Sequence, residues 1–184
     1  MTSLVDQILA IEHALDDAGI EHAFGGALAL AFHVEEPRGT RDIDVNVFVE
    51  PSSAHHVFSS LPHGVEWDGS LLDKAVSDGQ VRLFWDETPV DVFFSTHLFH
   101  DHASLRVLRV PLAGSVIPIL GATELVVFKA FYDRTKDWAD IEAITESGTA
   151  DAHAALGWLT DLLGPRDHRV SRLRNLMQRN PSGP

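Results

Sequence analysis

The chain has 184 residues, of which 45% are hydrophobic, and its formal net charge is −13 at pH 7. This length and apolar content predict a compact globular protein with a buried core. The sequence contains no cysteine, which excludes disulfides, thiolate metal sites and cysteine nucleophiles. The strong negative charge argues against a broad nucleic-acid-binding surface.

The N-terminal residues lack the basic and then apolar character of a signal peptide. No apolar run approaches the length needed to span a membrane. We therefore expect a cytoplasmic protein without a membrane partner.

Hydrophobic periodicity predicts helices and strands in the first two thirds of the chain and helices thereafter. The first helix begins after Ser3, a plausible N-cap, and ends near Gly19. The elements that follow are predicted at residues 21–24 (strand), 27–33 (helix), 41–49 (strand), 52–61 and 71–76 (helices), 80–85 and 90–95 (a hairpin), and 106–110 and 115–119 (a strand pair). From residue 123 onward three or four helical segments are expected, before a frayed tail over 180–184.

This order predicts an α+β fold with a mixed β-sheet flanked by helices and a helical C-terminal half. We expect the sheet and its polar residues within 1–120 and a helical part packed on that core within 121–184, together as a single compact unit.

Two carboxylates occupy alternate positions of the predicted strand over 41–49. Asp42 and Asp44 should project to one side of the sheet, while Ile43 and Val45 face the core. Two like charges on a half-buried face repel each other unless a cation lies between them. The pair therefore predicts a site at which Mg²⁺ binds to carboxylate oxygens. The plainer interpretation is that both aspartates face solvent beside arginines.

A third carboxylate and a glycine pair accompany these acids. Asp91 lies among apolar neighbours of the predicted hairpin, where an isolated carboxylate is costly, so we take it as the third metal ligand. The hairpin should bring it within reach of Asp42 and Asp44. Gly25 and Gly26 separate a short strand from an apolar helix, a geometry that aims backbone N–H groups at an anion.

Taken in order, these motifs resemble the core signature of the polymerase-β-like nucleotidyltransferase superfamily. The resemblance comprises Gly25-Gly26, the segment Arg-Gly-Thr-Arg-Asp-Ile-Asp over 38–44, and Asp91. The later segment 129–141 is similar to a helix of the small bacterial branch that includes the AbiEii-type toxins. Many relatives carry Ser or Thr after the glycine pair, whereas Ala27 follows here and offers no hydroxyl to a triphosphate.

The resemblance implies a Mg²⁺-dependent nucleotidyltransferase that transfers a nucleoside monophosphate from a nucleoside triphosphate (NTP) to an acceptor hydroxyl, through a two-metal site. It implies that Asp42, Asp44 and Asp91 hold the metals and that Lys129 and Asp137 also act in catalysis, Lys129 at the triphosphate tail. The residues expected around the nucleotide are Gly25, Gly26, Arg38, Thr40, Arg41 and Lys129. Read without the resemblance, the charges from Lys129 to Asp140 are typical of a salt-bridged helix surface.

The toxin branch further implies tRNA or another RNA as acceptor and a cognate antitoxin protein. The C-terminal segment is basic on an otherwise acidic chain, because 5 of the 14 basic residues follow Gly164, namely Arg166, Arg169, Arg172, Arg174 and Arg179. Such a helix could hold RNA phosphates, but a solvated helix face also explains it. A catalytically weak or inactive nucleotidyltransferase-like module that binds a nucleotide or a partner remains the alternative function, and Ala27 favours it.

Overall fold

The computed structural model describes residues 2–179, and these form two compact units. The first unit contains the chain up to Leu28 together with Gly39–Ile119, and the second contains Ala29–Arg38 together with the chain from Leu120 onward. The division into a core over 1–120 and a helical part packed on it stays a prediction, and the frayed tail predicted over 180–184 lies outside the described residues.

A seven-stranded mixed sheet forms the centre of the first unit. Its strands, in chain order, are β1 (His22–Phe24), β2 (Ile43–Val47), β3 (Val65–Glu66), β4 (Gln80–Trp85), β5 (Thr88–Phe94), β6 (Leu108–Leu112) and β7 (Ser115–Ile119). The spatial order is β3-β4-β5-β2-β1-β7-β6. The pairs β1–β7 and β2–β5 are parallel and the other neighbours are antiparallel. The predicted hairpin is therefore β4–β5.

The sheet buries one set of alternating side chains. Ile43 and Val45 of β2 and Val90 and Val92 of β5 are at most 1% exposed. Because strand side chains alternate between faces, the intervening residues Asp44 and Asp91 lie together on the other face. The apolar residues thus fix which face of the sheet carries the acids.

The helices of the first unit are α1 (Leu4–Asp17), α2 (Gly26–Leu30, which continues into the second unit), α3 (Ala54–Ser60, after a 3₁₀ turn over Pro51–Ser53), α4 (Gly69–Asp78) and α5 (Leu98–Ser104). Helix α1 begins with a reciprocal capping box between Ser3 and Asp6. Helix α5 and strand β3 were not predicted, because one is short and rich in histidine and the other has only two residues.

The second unit is helical, as predicted. Its helices are α6 (Ala122–Tyr132), α7 (Thr135–Ser147), α8 (Ala152–Leu163) and α9 (His168–Arg179). Asp133, with φ of 56°, ends α6, so the segment from Lys129 to Ile141 is two helices and not the single helix that was predicted. No helix within residues 2–179 has both the length and the apolar character needed to cross a membrane.

Candidate functional site

Three neighbouring strands carry a row of charged side chains on one face of the sheet. Asp44 of β2 is paired with Asp91 of β5, and Asp91 is paired in turn with Arg82 of β4. Asp42 lies one residue before β2, so it shares the face of Asp44. The predicted placement of Asp91 on the strand beside Asp44 is confirmed.

Arg82 binds the third carboxylate with both of its oxygens. Its Nε donates to Asp91 Oδ1 at 2.8 Å and its Nη2 donates to Asp91 Oδ2 at 2.7 Å. The same Nη2 lies 3.7 Å from Asp42 Oδ2. The Asp91 side chain is 13% exposed and that of Arg82 is 49% exposed. The arginine therefore reaches from the solvent side onto a nearly buried carboxylate.

The acids increase the proton affinity of this guanidinium. The hydrogen bonds to Asp91 raise the pKa of Arg82 further above its usual range, with added contributions from the charges of Asp42 and Asp44, although burial opposes the shift. Arg82 is therefore a permanent positive charge beside three acids. Sequence reasoning missed it, although a cation one strand away from an isolated acid is a recognisable cross-strand pair.

The glycine pair is built around Asp44. Gly25 N–H donates to the backbone oxygen of Asp44 at 2.8 Å, which ties the end of β1 to the start of β2. Gly26 has φ of 55°, and a Cβ placed on it would lie 1.8 Å from Asp44 Oδ2. Only glycine leaves room for that carboxylate. The Gly-Gly turn thus has a structural reason in this chain, beside its predicted contact with phosphates.

Thr40 fixes the approach to the acids. Its hydroxyl donates to the backbone oxygen of Asp42 at 3.0 Å and accepts from the Asp42 N–H at 3.1 Å. Thr40 and Arg41 also line a cavity of about 740 Å³. The other residues around this cavity are Thr2, Leu4, Gln7, Asp86, Glu87 and Thr88. The phosphate contacts assigned to Thr40 and Arg41 stay predictions.

The carboxylates suit a hard cation by their chemistry. Asp42, Asp44 and Asp91 offer oxygen donors from one face of two adjacent strands, the donor type that Mg²⁺ prefers. Within residues 2–179, however, no three His, Asp or Glu side chains are grouped closely enough to hold a metal ion. Arg82 also donates a hydrogen bond to each oxygen of Asp91. The metal roles of the three aspartates therefore stay predictions.

The second unit contains a different cluster, in which Lys129 and two carboxylates are buried and two exposed arginines bind those carboxylates. Lys129 is 3% exposed and its ammonium donates to Asp140 Oδ2 at 2.6 Å, with Asp137 Oδ1 at 3.7 Å. Arg38 donates to both Asp140 oxygens at 3.0 and 2.9 Å. Arg134 Nε donates to Asp137 Oδ2 at 2.6 Å. We refer to these five residues as the buried network.

The buried network corrects one interpretation of the sequence. A salt-bridged helix surface is wrong for Lys129, Asp137 and Asp140, which are all buried. Burial of Asp140 disfavours its charge, but the hydrogen bonds from Arg38 and Lys129 outweigh burial and lower its pKa below the usual range. The catalytic roles of Lys129 and Asp137 and the nucleotide contact of Arg38 stay predictions.

The C-terminal arginines divide into two kinds. Arg169 donates to the backbone oxygen of Phe131 at 2.6 Å and to Asp167 at 3.0 Å. The guanidinium of Arg172 lies 4.3 Å from the centre of the Trp138 ring. These two contact other residues of their own unit, and Arg172 is exposed, as are Arg166, Arg174 and Arg179.

Comparisons with known proteins identify the fold. No family model matches the chain, and no curated protein matches it by sequence. An antigenic nucleotidyltransferase-like protein from Paracoccidioides brasiliensis is 16% identical with a TM-score of 0.52, over 95% of this chain and 88% of that one. The antibiotic-resistance factor ANT(2″)-Ia, in complex with adenylyl-2″-tobramycin, is 14% identical with a TM-score of 0.53, over 97% and 98%.

A third solved structure is similar to the chain at a comparably low sequence identity. A lincosamide antibiotic adenylyltransferase with lincomycin bound is 14% identical with a TM-score of 0.52, over 76% of this chain and 94% of that one. At such low identity these similarities establish the fold alone. The chain has a nucleotidyltransferase-like α+β fold, as predicted, and its relation to the AbiEii-type branch stays a prediction.

Proposed function

We propose that this chain, built on a nucleotidyltransferase-like fold, is a Mg²⁺-dependent nucleotidyltransferase that moves a nucleoside monophosphate from an NTP to an acceptor hydroxyl. The observation that carries the proposal is the row of carboxylates. Asp44 and Asp91 are register partners on adjacent strands, and Gly26 leaves room for the Asp44 carboxylate at the end of β1. Mutually repelling acids on one face stabilise no fold by themselves, so a cation-dependent role accounts for them best.

The proposed transfer is one in-line substitution at phosphorus. The acceptor oxygen forms a bond to the α-phosphorus, and the bond from that phosphorus to the leaving pyrophosphate oxygen breaks. The acceptor proton passes to Asp91. Asp42, Asp44 and Asp91 would hold Mg²⁺, which would supply polarisation of the phosphoryl oxygens and neutralise their charge.

The chain's own residues would do the positioning. Asp42 and Asp44 would hold the nucleotide-bound metal, and Asp91 would join them at the second metal and orient the acceptor. The turn at Gly25 and Gly26 would let backbone N–H groups approach the phosphates. Thr40 supports the same site indirectly, because its hydroxyl holds the backbone of Asp42.

For the acceptor we propose RNA, with tRNA as the first candidate and a toxin role opposed by an antitoxin protein. The exposed Arg166, Arg174 and Arg179 favour this choice, because they are available to phosphates. Replacing all three by Ala should weaken RNA binding and reduce its salt dependence, measured by RNA titration at several salt concentrations. Unchanged binding would remove RNA from the proposal. Arg169 and Arg172 are left intact because they contact Phe131 and Trp138.

A catalytically weak nucleotide- or partner-binding module is the second candidate. Two observations favour it: Ala27 supplies no hydroxyl after the glycine pair, and Arg82 engages both oxygens of Asp91. Such a protein, catalytically weak or inactive, would bind NTP with Mg²⁺ and release pyrophosphate slowly or not at all.

One experiment separates these functions. The purified protein is incubated with each labelled NTP, Mg²⁺ and total bacterial RNA, and label is followed into RNA, protein and small molecules. The variant Asp42→Asn/Asp44→Asn removes two charges with little change in shape, and Asp73→Asn, on the exposed face of α4, is the matched control. We expect label in RNA for wild type and Asp73→Asn only. Label in a small molecule would mean that the acceptor is a small molecule and not RNA. Nucleotide binding without turnover would establish the second candidate.

A further inference from the structure

Arg82 lies in the sheet where its positive charge interacts with all three acids. It is the register partner of Asp91, which is itself the register partner of Asp44. Neighbouring strands lie about 4.8 Å apart, so these side chains form one continuous row. The charges of Asp42, Asp44 and Asp91 all act on the Arg82 guanidinium.

The contact between Arg82 and Asp91 has the geometry of a specific pair. Two parallel hydrogen bonds of 2.8 and 2.7 Å join the guanidinium to the two carboxylate oxygens. Such side-on pairing fixes the carboxylate in one orientation. The third contact, 3.7 Å from Nη2 to Asp42 Oδ2, extends the same cation toward the second acid.

The arginine end of this pair is open to solvent. The Arg82 side chain is 49% exposed, whereas that of Asp91 is 13% exposed, so water can replace Asp91 as the partner of the guanidinium without movement of the strand. Arg82 brings a positive charge to the row formed by Asp42, Asp44 and Asp91. A metal ion at the same carboxylates would therefore have to compete with this charge.

From this geometry we infer that Arg82 is an internal counter-ion that competes with divalent metal for the aspartates, and that it must leave Asp91 before a metal can use that carboxylate. The inference rests on the proposed function, because it concerns the same acids. Arg82 is a positioning residue here: without metal it holds Asp91 in place and reduces the repulsion between Asp91 and Asp42. Its half-exposed side chain can turn to solvent without disturbing the core.

Metal and nucleotide should favour each other's binding. A divalent cation alone must displace a guanidinium that gains no new partner, so the free protein should bind metal weakly. A metal that arrives with a triphosphate brings phosphate oxygens, which are strong acceptors for a released guanidinium. Metal and nucleotide should therefore bind with positive coupling.

The test is a titration of the nucleotide-free protein with Mn²⁺, followed by the electron paramagnetic resonance signal of the free ion. Arg82→Gln should bind Mn²⁺ about tenfold or more tightly than wild type, because a cation beside the acids is removed. Arg109→Gln, on the exposed edge strand β6, removes the same charge elsewhere in the sheet and should change the affinity less than about twofold. Adding Asp44→Asn to Arg82→Gln should abolish the gain.

The outcomes distinguish this inference from the proposed function. Equal Mn²⁺ affinity of wild type and Arg82→Gln, with binding lost in Asp44→Asn, would overturn the role of Arg82 and leave the metal site standing. A similar gain in Mn²⁺ affinity in Arg82→Gln and Arg109→Gln would show that net charge alone causes the gain. That result would also overturn the role of Arg82. No Mn²⁺ binding by any form, including Arg82→Gln, would overturn both the inference and the proposed metal site.

Discussion

The two units use charged side chains in opposite ways. On the sheet of the first unit, Asp42, Asp44 and Asp91 lie beside Arg82, and the group is partly open to solvent. In the second unit, Asp137 and Asp140 are buried and pair with the buried Lys129 and with Arg38 and Arg134, whose side chains are exposed.

The two clusters differ in how deeply their carboxylates are buried. Asp137 and Asp140 are buried and paired, as a buried carboxylate must be. Asp91 and Asp42, with side chains 13% and 31% exposed, are open to solvent beside Arg82, and we propose that they serve an external cation. From this comparison we expect the network to act in stability, and we propose the chemistry for the sheet.

The largest effect on stability is expected at the centre of the buried network. Lys129→Met keeps the length of the side chain but leaves Asp140 and Asp137 with less compensation, so the free energy of unfolding should fall by about 3 to 5 kcal/mol. Lys136→Met, at an exposed position of α7, should change it by less than about 0.5 kcal/mol. Urea denaturation of both variants measures the difference.

The same variant can also show that the network does not stabilise the second unit. If Lys129→Met unfolds at the urea concentration of the wild type, the network contributes no stability. If it also fails to bind NTP, the catalytic role that the sequence predicts for Lys129 is supported instead.

A smaller loss of stability is expected at the glycine turn. Gly26→Ala places a Cβ against the Asp44 carboxylate and keeps a positive φ, whereas Gly19→Ala, at φ of 66°, has no atom within 4 Å of the added Cβ. The Gly19 variant should lose about 1 to 2 kcal/mol from backbone strain alone. Gly26→Ala should lose more, and only it should lose nucleotidyl transfer. Equal losses of stability with intact transfer in both would mean that the contact with Asp44 is unimportant.

Acid should affect the two units in different pH ranges. His100 of α5, in the first unit, is buried, and burial lowers its pKa from 6.5 to about 4. The unfolded chain therefore binds more protons between these values, and stability should fall as the pH is lowered from 6.5 to 4, by at most about 1.4 kcal/mol per pH unit. His100→Gln should remove this slope in urea denaturation at a series of pH values.

The second unit should respond only at lower pH. The folded pKa of Asp140 lies below 3.8, so the stability from its pairs with Arg38 and Lys129 is complete above pH 3.8 and is lost as the pH falls through the folded value. Amide hydrogen exchange resolves the units. Loss of protection in α6 and α7 before any in the sheet would reverse the predicted order.

Much of the fold could be predicted because its patterns are local. The alternation in β2 and β5 identified both the buried face and the face of the acids, and glycines marked the ends of several helices. Helix α2 ends at Leu30 and not near residue 33, and α5 was missed, because short helices depend on tertiary contacts more than on propensity.

The candidate site was predictable only in part. The spacing of Asp42 and Asp44 and the hairpin at Asp91 are visible in the sequence. The partners Arg82 and Asp140 were missed because each pairing depends on the folded chain: Arg82 meets Asp91 through the strand register, and Asp140 meets Arg38 across more than a hundred residues. The burial of Lys129 is likewise invisible in a pattern that resembles an ordinary helix surface.

The most direct test of this account compares wild type with Asp44→Asn, measuring pyrophosphate release at saturating Mg²⁺ with each NTP and the RNA acceptor, and the free energy of unfolding of the same samples. The account predicts a loss of turnover of about a thousandfold or more, because one charge of the proposed metal site is removed. It predicts unfolding within about 1 kcal/mol of wild type, because a repulsive contact is relieved. Unchanged turnover in Asp44→Asn would contradict the assignment of chemistry to the acids of the sheet.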